Sequence, residues 1–474
     1  MNTQDFPRKF NSFSELLISF TEEMPKAPAL LFEKDGAPAA MSREDFAAAV
    51  YGRADQLRES GKTCIGVLCD GSFDCVITIF GAAVSHIQTV LLDESASDEL
   101  LREQIRQTDI DSLFGEDEDL LFELQPYLTE GLPGRDEGHS GRILFFTSGT
   151  TSSSKAVVLT DQSLMAAAYN GSCKLPLHAG DTLMCMLPLN HVFGFVCGLL
   201  WGMECGVPVA LGRGARYYAQ DLSFFRPTVL SAVPLLLGFL VQYRLINREM
   251  RLLLIGAGDC PDRLIRSVMQ SGLAVSLGYG LTETSSGVAI SVPDNSSSDP
   301  YAMEICPEDT VTLADDGEIL IASDSCMMQG YYHHPEDTAA VLIDGVLHTG
   351  DLGRWDESGK LHIIGRKKEI LVLSDGTKIF LPEYEAKIAA ALPGRDFAVL
   401  EKDGKPVLLL VDKEASGWTD QIMAEAARIL VQQELRSVMA ELPRGHQLSD
   451  IVFTDKPLPR TVTGKVKRWG LRLT

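Results

Sequence analysis

The chain has 474 residues, 45% of them hydrophobic and 23% charged, with 42 basic against 65 acidic side chains and a net charge of -23. That length predicts two to four folding units with ample material for a core. The acidic balance excludes nucleic acid or an anionic membrane surface as the main partner, so any anionic ligand must be held by local geometry. The N-terminal MNTQDFPRKF has no apolar h-region. The most apolar window, Gly194 to Leu211, contains Glu204 and several glycines, so it reads as core and not as an integral membrane segment. Ten cysteines without a CxxC or metal-ligand spacing read as reduced thiols in a cytoplasmic protein.

In chain order, Ile65–Cys69 predicts a strand, Phe73–His86 a helix and Thr89–Leu92 the next strand. Ser97–Thr108 is amphipathic and helical. Ile143–Phe146 and Ala156–Leu159 predict strands around a polar loop. Arg251–Ile255 is a strand, Pro261 stands as the first helical residue of a helix over Asp262–Gln270, and Ala274–Leu277 is a strand. This alternation predicts stacked α/β layers. From about residue 367 the texture changes. A short strand follows GRKKEI, with a turn at Asp375–Gly376 and a helix opening at Pro382. FAVLEKDGKPVLLLV predicts a hairpin turning at Asp403–Gly404, and Thr419–Leu442 a single long amphipathic helix. The expected fold is therefore a large multi-layer α/β N-terminal body, residues 1–366, with a smaller mobile α+β C-terminal domain, residues 367–474.

The polar loop is FFTSGTTSSSKAVVLT, with Thr147, Ser148, Gly149, Thr150, Thr151 and a closing Lys155. Hydroxyls, backbone N–H groups and one ammonium suit a polyphosphate. It is not a Walker loop, which needs Gly before the Lys and Ser or Thr after it. The tail from Lys456 onward carries six basic residues and no acidic one, which in so acidic a chain predicts a visit to an anion. DIDSL, Asp109 to Leu113, superficially suggests a carrier-protein serine site, but it lacks the preceding Gly and lies inside the large domain.

The polar loop resembles the phosphate loop of the adenylate-forming (AMP-binding) superfamily, which includes acyl-CoA synthetases, luciferases and adenylation domains. It departs at Ser152 and Ser154, where Gly and Pro are usual, and at Ala156. GYGLTET, Gly278 to Thr284, matches the family's second signature. The resemblance places Tyr279 and Gly280 against adenine, Thr282 on the α-phosphate and Glu283 on Mg2+. GAGDC implies that Gly256, Ala257, Gly258 and Asp259 line the adenine pocket. HTGDLG supplies Asp351 for the ribose hydroxyls and GRKKEI supplies Arg366 beside it, with Lys368 at the hinge position. LPLNHVFGF places His191 near the reacting carboxylate, and the lack of an Asp there disfavours an amino-acid substrate. LSDGTKIFLPEYE implies that Gly376 lets the pantetheine arm of a thiol pass. LPRTVTGKVKR places Lys465 as the catalytic lysine.

The implied reaction takes ATP, Mg2+ and a small-molecule carboxylate to an acyl-adenylate, then passes the acyl group to coenzyme A as co-substrate. The expected acid is apolar and fatty, with an aryl acid as the alternative. Transfer to an acyl carrier protein, or a catalytically weakened adenylate-binding protein, are the competing readings within the family. A conventional NTPase or kinase is the competing reading outside it.

Overall fold

The computed structural model describes residues 7–131, 141–147, 154–258, 260–293, 299–373, 378–412, 421–443, 446–460, 466, 468 and 471. The chain divides into two compact units. The first runs to Thr349 and also holds Arg354–Ile363. The second holds Gly350–Gly353 and the chain from Ile364 onward.

Two sheets and the helices packed on them organise the first unit. A six-stranded sheet runs Gly330–Tyr331, Ala156–Thr160, Arg142–Phe146, Gln88–Leu92, Cys64–Leu68, Ser112–Phe114. Its last four strands are parallel, and the two inner ones, Gln88–Leu92 and Cys64–Leu68, are buried along their whole length, on both faces. A nine-stranded sheet runs Glu304–Ile305, Ser286–Ile290, Ala274–Leu281, Leu252–Ile255, Val229–Ala232, Leu183–Cys185, Val209–Leu211, Pro28–Lys34, Ala37–Ser42. Its six central strands are parallel. Helix Asp161–Lys174 touches strands of both sheets, so the layers are sheet, helix, sheet. Phe13 stacks on Phe80 at 4.1 Å between ring centroids, and Phe145 meets Phe195 edge-on at 5.7 Å. All four rings are fully buried, and such aromatic pairs add about 0.5–1.5 kcal/mol each beyond their area. A third sheet takes Thr310–Leu313, Glu318–Ala322, Val346–Trp355 and Leu342–Ile343 in that order.

The second unit has its own core, in which Leu371, Tyr384, Ile388, Leu408, Leu435 and Ile451 are buried. Phe397–Lys402 and Lys405–Val411 form the expected hairpin, with Asp403 at φ 54° and Gly404 at φ 72°. Two positive φ angles are what a two-residue hairpin turn of this type requires, and Asp-Gly supplies them cheaply. Asp450–Thr454 adds to the hairpin in parallel.

Three sequence expectations shift. The strand expected to end at Leu277 continues to Leu281, because an antiparallel neighbour, Ser286–Ile290, prolongs the ladder past its parallel partner. Pro261 has ψ 127° and precedes the helix as its cap instead of opening it. The single helix expected over Thr419–Leu442 is two, Gln421–Glu434 and Arg436–Glu441. The break is at Leu435, whose buried side chain joins the core while its backbone turns to ψ -5°. The expected turn at Asp375–Gly376 lies outside the described residues.

All ten cysteines are free thiols, six of them buried. Among the described residues no helix is long and apolar enough to cross a membrane.

Candidate nucleotide and carboxylate site

The motifs of the first unit gather at the carboxyl ends of the parallel strands, where α/β sheets present ligand-binding loops. Thr147 follows Arg142–Phe146, Gly256 follows Leu252–Ile255, and Asp93 follows Gln88–Leu92. The Tyr331 hydroxyl, on an edge strand of the six-stranded sheet, donates to Glu283 Oε1 at 2.7 Å, just past a strand of the nine-stranded sheet.

Thr147 and Lys155 clasp the two ends of the polar loop. The Thr147 N–H donates to the Lys155 carbonyl at 2.9 Å, and the Lys155 N–H donates to Thr147 Oγ1 at 3.3 Å. Ser154, a departure from the family pattern, donates its hydroxyl to the Thr147 carbonyl, a bond proline could not make. Ser148, Gly149, Thr150 and Thr151 lie outside the described residues. The Lys155 ammonium stands 2.9 Å from Asp337 Oδ2 and 5.0 Å from the centre of the Tyr331 ring. The Lys155 hydrogen bond holds the Asp337 carboxyl below its ordinary pKa. Burial, then the charge of Glu283, push the Tyr331 phenol well above its usual range, so it stays a donor.

The GAG and GYG segments lie side by side. Parallel pairing of Ile255 with Leu277 sets Gly256 beside Gly278. At Gly280 the backbones are so close that a Cβ would stand 1.6 Å from the Ser286 carbonyl oxygen. Ala257, Ser285 and Ser286 hold φ angles of 60°, 55° and 127°, a concentration of strained backbone of the kind found at ligand sites. Tyr279 is half-buried on its strand, and Thr282 and Glu283 form a 3-10 turn after it. Asp259 lies outside the described residues.

His191 is exposed at the surface. Desolvation lowers its pKa, and Asp93 partly opposes the effect. Phe193 packs its ring where a Cβ on Gly256 would stand, 2.9 Å away. Phe195, Leu199 and Leu200 are fully buried core. In the SAVPLLLGFL run Leu236, Leu237 and Leu240 are core, while Leu235 is 85% exposed. The segment Val196–Leu200 is a π-helical turn, and the Ser231 hydroxyl donates to its Cys197 carbonyl at 2.7 Å. A separate surface cavity of 540 Å³, lined by Leu240, Arg244, Arg248 and Met250, opens at the opposite ends of the strands and holds none of the motif residues.

In the second unit Arg366 Nε lies 3.0 Å from Asp351 Oδ1, and Asp351 is buried. Lys368 is exposed in the short turn Lys367–Glu369. Gly376 and Lys465 lie outside the described residues.

Sequence reasoning missed Tyr331, Asp337 and Asp93. The first two sit in QGYYHHPED, where only Pro335 gave a signal, that of a helix start. Asp109, from the discarded DIDSL stretch, accepts from His333 Nε2 at 2.9 Å and from the Tyr332 hydroxyl, and so anchors the same segment.

The donor set suits Mg2+ held with a nucleotide. Among the described residues no three His, Cys, Asp or Glu side chains form a protein-only metal cage. Nucleotide-borne Mg2+ takes only one or two carboxylates, with substrate phosphates and waters as the other ligands. The Tyr331 hydroxyl engages the Glu283 carboxylate through Oε1.

Glycine-rich strand ends, a lysine-closed hydroxyl loop and a metal-type carboxylate define a nucleotide-site class of α/β fold. The model of the AMP-binding enzyme family matches residues 19–332, about two thirds of the chain, and the chain belongs to that family. It is 28% identical over 404 residues to a long-chain-fatty-acid–CoA ligase of Mycobacterium bovis, covering 69% of this chain and 66% of that one. It is 28% identical over 335 residues to a 2-succinylbenzoate–CoA ligase of Listeria monocytogenes, covering 69% of each. An indoleacetate–CoA ligase of Aromatoleum aromaticum is 29% identical over 352 residues, covering 70% of this chain and 66% of that one. The chain thus aligns with about two thirds of these relatives' lengths. The fold is similar to O-succinylbenzoate coenzyme A synthetase of Bacillus subtilis in complex with AMP, with a TM-score of 0.77, 21% identity and coverage of 96% and 98%. A structure of that enzyme with ATP and magnesium ion superposes with a TM-score of 0.74, 21% identity and coverage of 96% and 98%.

Proposed function

We propose that this chain is an AMP-forming acid–thiol ligase that activates an apolar carboxylic acid with ATP and passes the acyl group to coenzyme A. The observation that carries the reading is the convergence of Lys155, Tyr331 and Glu283 at strand ends that belong to two different sheets. The CoA ligase names of the relatives support the reaction class. Bound Mg2+ would supply charge neutralisation at the phosphates, with Glu283 as its carboxylate.

The chemistry sets the demand on the residues. A carboxylate oxygen attacks the α-phosphorus of ATP, forming the mixed anhydride and expelling pyrophosphate. Two unit charges at ~4 Å repel by about 4 kcal/mol at an effective dielectric near 20. Lys155 and the loop hydroxyls would take the departing pyrophosphate charge, and Lys465 the approaching pair. Thr282 would hold the α-phosphate, Tyr279 would stack on adenine, and Asp351 with Arg366 would hold the ribose. His191, lowered in pKa and therefore neutral at pH 7, would offer the incoming carboxylate a hydrogen bond without a competing cation. The thiol of coenzyme A then attacks the acyl carbon and AMP leaves, with Gly376 passing the pantetheine arm and Lys368 absorbing the hinge change.

The half-exposed Phe193 beside His191, with no carboxylate in the LPLNHVFGF segment, supports an apolar acid, fatty or aryl. The test is AMP release over a panel of fatty, aryl and amino acids, with and without CoA. The reading requires AMP with matching CoA consumption for an apolar acid. ADP formation, or no turnover on any acid, contradicts it.

A further inference from the structure

Glu283 is gripped twice by one short segment of the chain. Its backbone carbonyl accepts from the Met328 N–H at 2.8 Å, and its side-chain Oε1 accepts from the Tyr331 hydroxyl at 2.7 Å. Two residues on, Ser285 Oγ donates to the Cys326 carbonyl at 2.8 Å. The turn Thr282–Thr284 is therefore laced along 326–331. That segment is itself fixed to the strand that begins right after Lys155. The Gln329 N–H donates to the Val158 carbonyl at 2.9 Å, and the Tyr332 N–H to the Ala156 carbonyl at 2.8 Å. Tyr331 pairs with Val157, and its own N–H donates to Thr338 Oγ1 at 2.8 Å. Main chain and neighbours thus fix the ring, and the ring fixes the carboxylate.

From this lacing we propose that Tyr331 is a positioning residue for the metal carboxylate: its phenol occupies Glu283 Oε1 and turns Oε2 toward Mg2+. The inference rests on the nucleotide reading above. A carboxylate on a half-buried turn still has several rotamers open to it, and only some direct an oxygen at a phosphate-borne cation. One hydrogen bond from a ring whose backbone is fixed in the sheet removes most of that freedom before the ligand arrives. The same ring lies 5.0 Å under the Lys155 ammonium, so one side chain sets the spacing between the phosphate lysine and the metal carboxylate. Phenylalanine would fill the same volume. Only the hydroxyl is needed for the proposed role, which makes Tyr331→Phe a narrow test.

The experiment measures ATP binding to the full chain by calorimetry across a Mg2+ series, with Mn2+ bound in the presence of ATP counted by electron paramagnetic resonance. Wild type, Tyr331→Phe, Glu283→Gln and the double variant are compared. Tyr331→Phe should raise the half-saturating Mg2+ and Mn2+ at least threefold and leave metal-free ATP binding and the melting temperature within error. In the Glu283→Gln background the same change should have no further effect on metal dependence. An unchanged metal requirement in Tyr331→Phe, or an equal shift in both backgrounds, overturns the positioning role and leaves the nucleotide reading standing. Wild type that binds no metal–ATP overturns both.

Discussion

Gly280→Ala puts the site's tightest approach under load. A Cβ there would meet Ser286 O at 1.6 Å, Ser286 C at 2.5 Å and Gly287 Cα at 2.9 Å, whereas real Cβ contacts essentially never fall under 3.0 Å. Relief therefore needs a main-chain displacement of about 1.4 Å, on the far partner or on Gly280 itself. All three atoms are backbone, so no side-chain rotation can provide it. The ladder here already shifts register between Tyr279 and Gly280, and Ser286 already holds φ 127°. The displaced oxygen also accepts from Thr284 Oγ1 at 3.1 Å, so moving it loosens the turn that carries Thr282 and Glu283. Overpacking of about 1–3 kcal/mol plus one buried hydrogen bond of about 1 kcal/mol gives a loss of about 3 kcal/mol. Thermal unfolding and an ATP titration are the assays, and ATP affinity should fall at least tenfold. Gly52→Ala is the control. Nothing lies within 4 Å of a Cβ in that helix position, so the change should be neutral or stabilising by about 1 kcal/mol. Wild-type stability and ATP affinity in Gly280→Ala would refute the close-approach argument.

Glu204 supplies a pH prediction. Burial raises its carboxyl from 4.5 to about 9, and neither oxygen makes a well-formed hydrogen bond. A carboxyl with a raised folded pKa binds more protons folded than unfolded, so stability should fall as pH climbs from 4.5 toward 9. At pH 7 the cost is about 3 kcal/mol, at about 1.36 kcal/mol per pH unit. Glu204→Gln should therefore melt with wild type near pH 4.5 and increasingly above it toward pH 9, and a gap that ignores pH would count against the buried acid. Lys465→Ala should slow adenylation by roughly a thousandfold and leave thioester formation from supplied acyl-adenylate largely intact, as rapid-quench assays of the two half-reactions would show. Equal loss in both halves would contradict its assigned role.

Parallel strands such as Cys64–Leu68 and Leu252–Ile255 were legible because their apolar runs are unbroken. The reach of Ala274–Leu281 was not, since two glycines near its end read as a turn and the pairing that extends it comes from Ser286–Ile290. The break at Leu435 was hidden for a similar reason: helical periodicity records which face is apolar, but not where the core pulls one residue out of register. Glu283 was legible through its heptad. Tyr331 was not, because its role depends on an edge strand whose partner, Val157, lies 174 residues earlier in the chain, and no local pattern encodes that pairing. The Phe193, Phe195, Leu199 and Leu200 run looked uniform in sequence, and only packing separates the one half-exposed ring from three core side chains.

The most direct measurement is exchange of labelled pyrophosphate into ATP, run with Mg2+ across fatty, aryl and amino acids in the absence of CoA. The account predicts exchange that appears only when an apolar carboxylic acid is added and that disappears in Lys465→Ala. Exchange that needs no acid, or none with any acid while ATP still binds, would contradict it.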